Sequence, residues 1–287
     1  MPENKVKEYF SPKRVALSLR YPFLASPILF TRRAVRKIAT KINPSISFKK
    51  DSNLFKYIVT RHSSPLIRKL GNSDIRLQRQ KIINLKLASE ILDGVIIPPG
   101  KTFSLWSALG NPTRKRGFAD GMLLSNGKVL EGVGGGLCQL SNLLHWTFLH
   151  TPLVITERSH HSRDVFPDHN RTLPFGSGAT IFYNLIDLRV KNTLSTPIQI
   201  HLWVDENNLR VQLRSPEIIP EKFHVYEKNH LFIRAKGIWF RMNEIWRETL
   251  IAGVKQKDEK LYENFAPVMY PVTDEYLSTN AFSHIVL

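Results

Sequence analysis

Residues 131–150 read EGVGGGLCQLSNLLHWTFLH and hold the only cysteine of the chain, Cys138. Gly132 and the run Gly134, Gly135, Gly136 precede it, and a helical pattern follows at once. Leu137, Leu140, Leu144 and Thr147 or Phe148 recur at spacings of three and four, which makes one apolar helix face. The stretch reads as a flexible turn delivering a thiol to the first turn of a buried helix. Glycine permits positive φ and close backbone approach. A helix N-terminus offers unpaired N–H groups and a partial positive charge, which favour a thiolate and can hold an oxyanion. The same residues also fit a plainer role, because a lone cysteine in an apolar helix often serves as a small core residue.

Working outward, the chain has 287 residues and is 42% hydrophobic, enough to bury a sizeable core. A single cysteine allows no disulfide within it, so nothing demands an oxidising compartment. The formal net charge of +17 is unevenly placed: residues 1–50 carry about +10 and the remainder about +7. The apolar run at 15–30 is broken by Arg20, Pro22 and Pro27, so it reads neither as a secretory signal nor as a spanning helix. Its aliphatic and aromatic residues lie between basic clusters, a pattern that suits the surface of an anionic membrane. The plainer reading, a basic arm packed on its own domain, is slightly the stronger of the two. No zinc-finger spacing or RNA-binding signature occurs, so no specific nucleic-acid partner is expected. A cytoplasmic protein, peripheral at the inner membrane surface at most, is the expectation.

Ser73 and Asp74 open a helix whose apolar positions run from Ile75 to Leu92, and Asp93-Gly94 stops it. Strand patterns follow at 101–106, 153–156, 180–183 and 188–191. Asn126-Gly127 is a hairpin signal, and 197–204 with 209–213 form a second hairpin around Asn207-Asn208. Further strands are expected at 231–238, 240–247 and 250–254. The fold class is therefore α+β: two main helices against a mostly antiparallel sheet, with the cysteine at a helix N-terminus.

Five pieces carry a resemblance: NLKLAS at 84–89, PPGKTFSLW at 98–106, GVGGGLCQLSNLLH at 132–145, ERSHHSRDV at 157–165 and PFGSGATIFYNLIDLRVKN at 174–192. In this order they resemble the VanW family, named for a vancomycin B-type resistance accessory protein. The resemblance implies glycopeptide resistance and cell-wall, or peptidoglycan-precursor, metabolism; it brings no settled catalytic residues. With the charge and element pattern, the chain divides into a basic N-terminal arm (1–50), a helical lead-in (51–94), a VanW-like core (95–215) and a C-terminal β-rich extension (216–287) packed on the core.

The chemistry must come from the residues. A thiol hydrolase or acyltransferase needs a base beside the thiol and a group to orient that base. Cys138 would be the nucleophile and His161 the base, with His160 its alternative, and Asp164 or Asp187 would orient the ring. Gln139 and the amides of Gly134, Gly135 and Gly136 would hold an oxyanion. Glu157, Arg158 and Arg163 would read charged groups of a muropeptide or precursor, such as a carboxylate. No ligand spacing among Cys138, His160, His161 and Asp164 is diagnostic, so neither metal nor other cofactor is expected. The same pocket also fits a binding module without chemistry, and the basic arm fits a membrane-associated accessory protein.

Overall fold

The computed structural model describes residues 2–12, 20–67, 75–125, 128–160, 162–165, 167–168 and 173–287. The fold is mixed α and β with mostly antiparallel sheets. Where two helices on one sheet were expected, six helices and four sheets occur among the described residues.

The helices are α1 (Pro2–Phe10), α2 (Ala25–Ile42), α3 (Ile75–Leu92), α4 (Leu105–Leu109), α5 (Leu137–Leu149) and α6 (Asp274–Thr279). Strands β1 (Lys49–Lys50), β2 (Tyr57–Pro65), β3 (Val95–Ile97), β9 (Ile198–Val204) and β10 (Asn208–Ser215) make a central five-stranded sheet in the order β1-β3-β9-β10-β2, antiparallel throughout. The lead-in segment thus contributes an edge strand to the same sheet as the family-like segment. Around it lie a three-stranded sheet of β4 (Thr102–Ser104), β7 (Val154–Glu157) and β8 (Arg189–Lys191), and a hairpin of β5 (Asp120–Ser125) and β6 (Lys128–Val133). The predicted Asn126-Gly127 turn joining that hairpin lies outside the described residues, as do Ser73 and Asp74 before α3.

The core follows from two amphipathic helices closing on the central sheet. Leu85, Ala88 and Leu92 of α3 and Leu140, Leu144 and Phe148 of α5 are fully buried against Ile198, Ile200, Val211 and Leu213. Removing a leucine or phenylalanine side chain from water is worth about 1.5–3 kcal/mol each, so this layer supplies much of the folding drive. The 101–106 pattern splits: β4 ends at Ser104, whose hydroxyl accepts from the Ser107 amide at 3.2 Å and starts α4. The strand expected at 180–183 is reduced to isolated bridges, Ser159 with Thr180 and Phe182 with Ile186, because Asn184 turns the chain at φ 53°.

The C-terminal segment forms a four-stranded sheet, β11 (Glu221–Ala235), β12 (Ile238–Ile251), β13 (Val254–Pro267) and β14 (His284–Val286), with only β11 and β14 parallel. Its turns correct the sequence reading, which ran strands through them. Lys236-Gly237 and Ala252-Gly253 each take positive φ at both positions, the two-residue turn whose twist suits a hairpin. Neither carries the asparagine or aspartate that advertises such a turn. Val6 of α1 is buried against Ile233 and Phe240 of this sheet, so the first residues of the basic arm are packed there.

His145 links the two parts. It is fully buried on α5, donates from Nδ1 to the Ser177 carbonyl at 2.9 Å, and lies 6.0 Å from the Tyr262 ring of β13. Burial, then the Arg158 charge, lowers its pKa from 6.5 to about 3. Burial, then His150, lowers that of His62 to about 4. Each group binds a proton in the unfolded chain that the native state refuses, so stability rises with pH across this window and falls on acidification below about 6.5. We expect the melting temperature to drop between pH 7 and pH 4.5, and His145→Phe to lose less over the same interval. An equal loss in the variant would remove His145 from the acid response.

Candidate functional site

The glycine run is explained by close approach. A Cβ on Gly135 would lie 2.0 Å from the Gly121 carbonyl carbon of β5, and one on Gly136 would lie 2.3 Å from Cγ of Lys81 on α3. Gly136 also takes φ 94° as the residue before α5. Asn84 clamps the crossing: its Nδ2 donates to Ala119 and Gly135 carbonyls at 3.0 and 2.9 Å, and its Oδ1 accepts from the Ala119 amide at 2.8 Å. The amides expected to face an oxyanion are already used. Those of Gly134, Gly135 and Gly136 donate to the carbonyls of Ala119, Gly132 and Met122 at 3.0, 3.1 and 3.0 Å. The glycines therefore serve backbone packing rather than an anion pocket.

This crossing sets Cys138 as the second residue of α5, with Sγ 4.0 Å from the Ile181 carbonyl. The thiol is half-buried in the wall of a cavity of about 550 Å3. Trp106, Pro112, Val133 and Tyr183 give the cavity its apolar surface, and Arg33 and Lys37 of α2 bring two cations to it. The Trp106 and Tyr183 rings meet edge to face at 5.4 Å, and Trp106 Nε1 donates to the Ile186 carbonyl at 2.8 Å, so this wall is rigid. Burial pushes the thiol pKa up, so at neutral pH the sulfur keeps its proton. Among the described residues the cavity is bordered by no imidazole. His161, the expected base, lies outside the described residues. His160 is exposed and follows directly on the Ser159–Thr180 bridge, which adjoins Ile181.

The other expected site residues are drawn elsewhere. Gln139 donates to Ser64 Oγ and the Pro65 carbonyl, both at 2.8 Å, and so ties α5 to β2. Arg158 donates to the Gly178 carbonyl at 3.0 Å and to that of Gly176, with its guanidinium 3.9 Å from the Tyr262 ring centre. Glu157 pairs with Arg36 and accepts from the Asp187 amide at 2.9 Å. Asp187 is buried and accepts from Ser104 Oγ at 2.6 Å and the Trp106 amide at 3.1 Å, which holds the start of α4. Arg163 is exposed, 3.9 Å from Met269 Sδ. Asp164 is buried against Arg241 at 3.2 Å and accepts from the Tyr270 hydroxyl at 2.9 Å. Arg241, 1% exposed, also pairs with Asp168, and the two carboxylates hold it charged against the cost of burial. Arg33, Lys37, Trp106 and Tyr183 went unnoticed as site residues, although Trp106 and Tyr183 fall inside the quoted family pieces.

The class is thus an α+β protein whose one cysteine opens into an apolar, cation-edged cavity beside a glycine crossing. The family described as VanW like protein matches residues 80–214, from within α3 to the end of β10. The vancomycin B-type resistance protein VanW of Enterococcus faecalis is 33% identical over 203 residues, 70% of this chain and 74% of that protein. An uncharacterised Bacillus subtilis protein, YoaR, is 27% identical over 180 residues, 63% of this chain and 56% of its own length. No solved structure matches. The chain belongs to the VanW family.

Two outcomes follow from this geometry. Gly135→Ala should cost about 3 kcal/mol or more, since the clash is backbone on backbone, and circular dichroism melting measures it. Asp164→Asn should lower the melting temperature and leave the pH profile of Cys138 alkylation in place. A displaced profile would return Asp164 to the thiol.

Proposed function

We propose that this VanW-family chain takes part in glycopeptide resistance through cell-wall chemistry, as a cysteine-dependent acyl-transfer protein acting on a peptidoglycan-precursor peptide. The observation that carries the reading is the Cys138 thiol in the wall of the cavity, in the first turn of α5. A protonated thiol suits general-base chemistry, in which the nucleophile gives up its proton as it attacks. Sγ would bond to the peptide carbonyl carbon while an imidazole, that of His161, takes the thiol proton. The C–N bond would then break, the proton passing to the leaving amine, and a thioester would remain. Water or an acceptor amine would release the acyl group and restore the thiol. With the glycine amides engaged, the oxyanion falls to the amide of Cys138 itself, and Arg33 or Lys37 would take a substrate carboxylate.

A second reading has its own support. The raised thiol pKa and the lack of an imidazole among the described lining residues favour a binding module that grips a muropeptide without reacting. Intact-mass spectrometry after incubation with a muropeptide separates the two. The acyl-transfer reading expects an adduct on the wild type, none on Cys138→Ala, and a rate lowered about 100-fold or more by His161→Ala. Binding retained by Cys138→Ala, with no adduct or turnover in any form, would transfer the assignment to the binding module.

A further inference from the structure

The apolar side of α2 faces outward. At 3.6 residues per turn, Arg33, Arg36 and Thr40 share one side of the helix, and Thr31, Val35, Ile38 and Ile42 share the opposite side. The first side meets the protein: Arg36 pairs with Glu157, Thr40 Oγ1 accepts from Arg189 at 2.6 Å, and the Arg33 guanidinium lies 5.3 Å from the centre of the Phe182 ring. The second side is open, with Val35, Ile38 and Ile42 exposed by 60, 60 and 73%, and no residue of the helix is buried. A helix on a water-facing surface turns its charges out and its apolar stripe in; this one does the reverse.

The surroundings of the stripe select its occupant. From residue 9 to residue 50 the chain holds ten lysines and arginines and not one acidic residue. Arg32 flanks the stripe on one side and Lys41 on the other, while Tyr21 and Phe23 stand exposed just before the helix. Cations beside an apolar stripe, with aromatic rings at its end, match an anionic lipid surface, where headgroups meet the charges and acyl chains meet the stripe. No helix among the described residues is long and apolar enough to cross a membrane, so α2 would lie in the interface.

We propose that α2 docks this protein on an anionic phospholipid bilayer through Val35, Ile38 and Ile42, flanked by Arg32 and Lys41. The docking stands whether or not Cys138 carries out acyl transfer. Its consequence for the site is direct, because Phe30, Arg33, Ala34 and Lys37 of the same helix line the Cys138 cavity. A docked α2 holds that cavity at headgroup depth, where a lipid-linked anionic ligand would reach it.

Co-sedimentation of the full chain with phosphatidylglycerol vesicles and with phosphatidylcholine vesicles, at low and high salt, tests the proposal. We expect salt-sensitive binding to the anionic vesicles only. The triple variant V35S/I38S/I42S should bind about tenfold or more weakly, with an unchanged or raised melting temperature. Arg32→Glu with Lys41→Glu should weaken binding at low salt, where the charges act. Wild-type protein left in the supernatant with anionic vesicles would overturn the proposal, as would a triple variant that sediments like the wild type. A wild type that runs as a dimer without lipid, while the triple variant runs as a monomer, would also overturn it and make the stripe a contact between copies.

Discussion

Two backbone segments pass each other at Gly121 and Gly135 with no room for a side chain on either, and the rest of the core is arranged around that crossing. Because β5 and the glycine turn are locked together, the start of α5 has one place to go. Asn84 fixes the third partner, α3, by bonding to both segments at once. The crossing thus couples the helix that carries Cys138 to the helix that closes the central sheet. A polar side chain does this in the interior because each of its groups has a partner, which is the condition under which a buried amide stabilises rather than costs.

The local part of this was legible in the sequence. The glycines, the helical period after Leu137 and the stop at Asp93-Gly94 are signals contained within a few residues, and they mark elements that local sterics and burial decide. The role of the glycines was not legible, since an oxyanion turn and a tight crossing call for the same residue. The C-terminal hairpins were misread for a related reason. Lys236-Gly237 and Ala252-Gly253 put a residue with no local preference for positive φ into the first turn position, and long flanking strands impose it.

The charged candidates find their partners far along the chain. Asp164 is held by Arg241 and Tyr270, Arg158 by Gly176, Gly178 and Tyr262, and Glu157 by Arg36. These partners come from the C-terminal sheet, the N-terminal helix or a loop across the fold, so no local pattern announces them. A dense polar run such as ERSHHSRD looks like a site because its residues share a segment. In the folded chain Glu157, Arg158 and Asp164 turn to three different neighbours, of which Arg241 is a buried charge that needs its carboxylate. The same remoteness hid Arg33 and Lys37, which lie outside the family-matched segment and about a hundred residues before the thiol they accompany.

That division gives the cavity two owners. One wall, with Cys138, Trp106 and Tyr183, belongs to the segment the family match covers; the other is α2, which the match does not cover. The walls are joined by a short polar chain. Arg36 of α2 meets Glu157, Glu157 receives the amide of Asp187, and Asp187 receives Ser104 and the amide of Trp106. Glu157 and Asp187 thus stand between α2 and the residue whose ring lines the cavity. The contact is electrostatic and only part-buried, so it can yield where the packed core cannot. On the docking proposed above, the part-buried Arg36–Glu157 pair is a contact between the lipid-facing helix and the wall that holds the thiol.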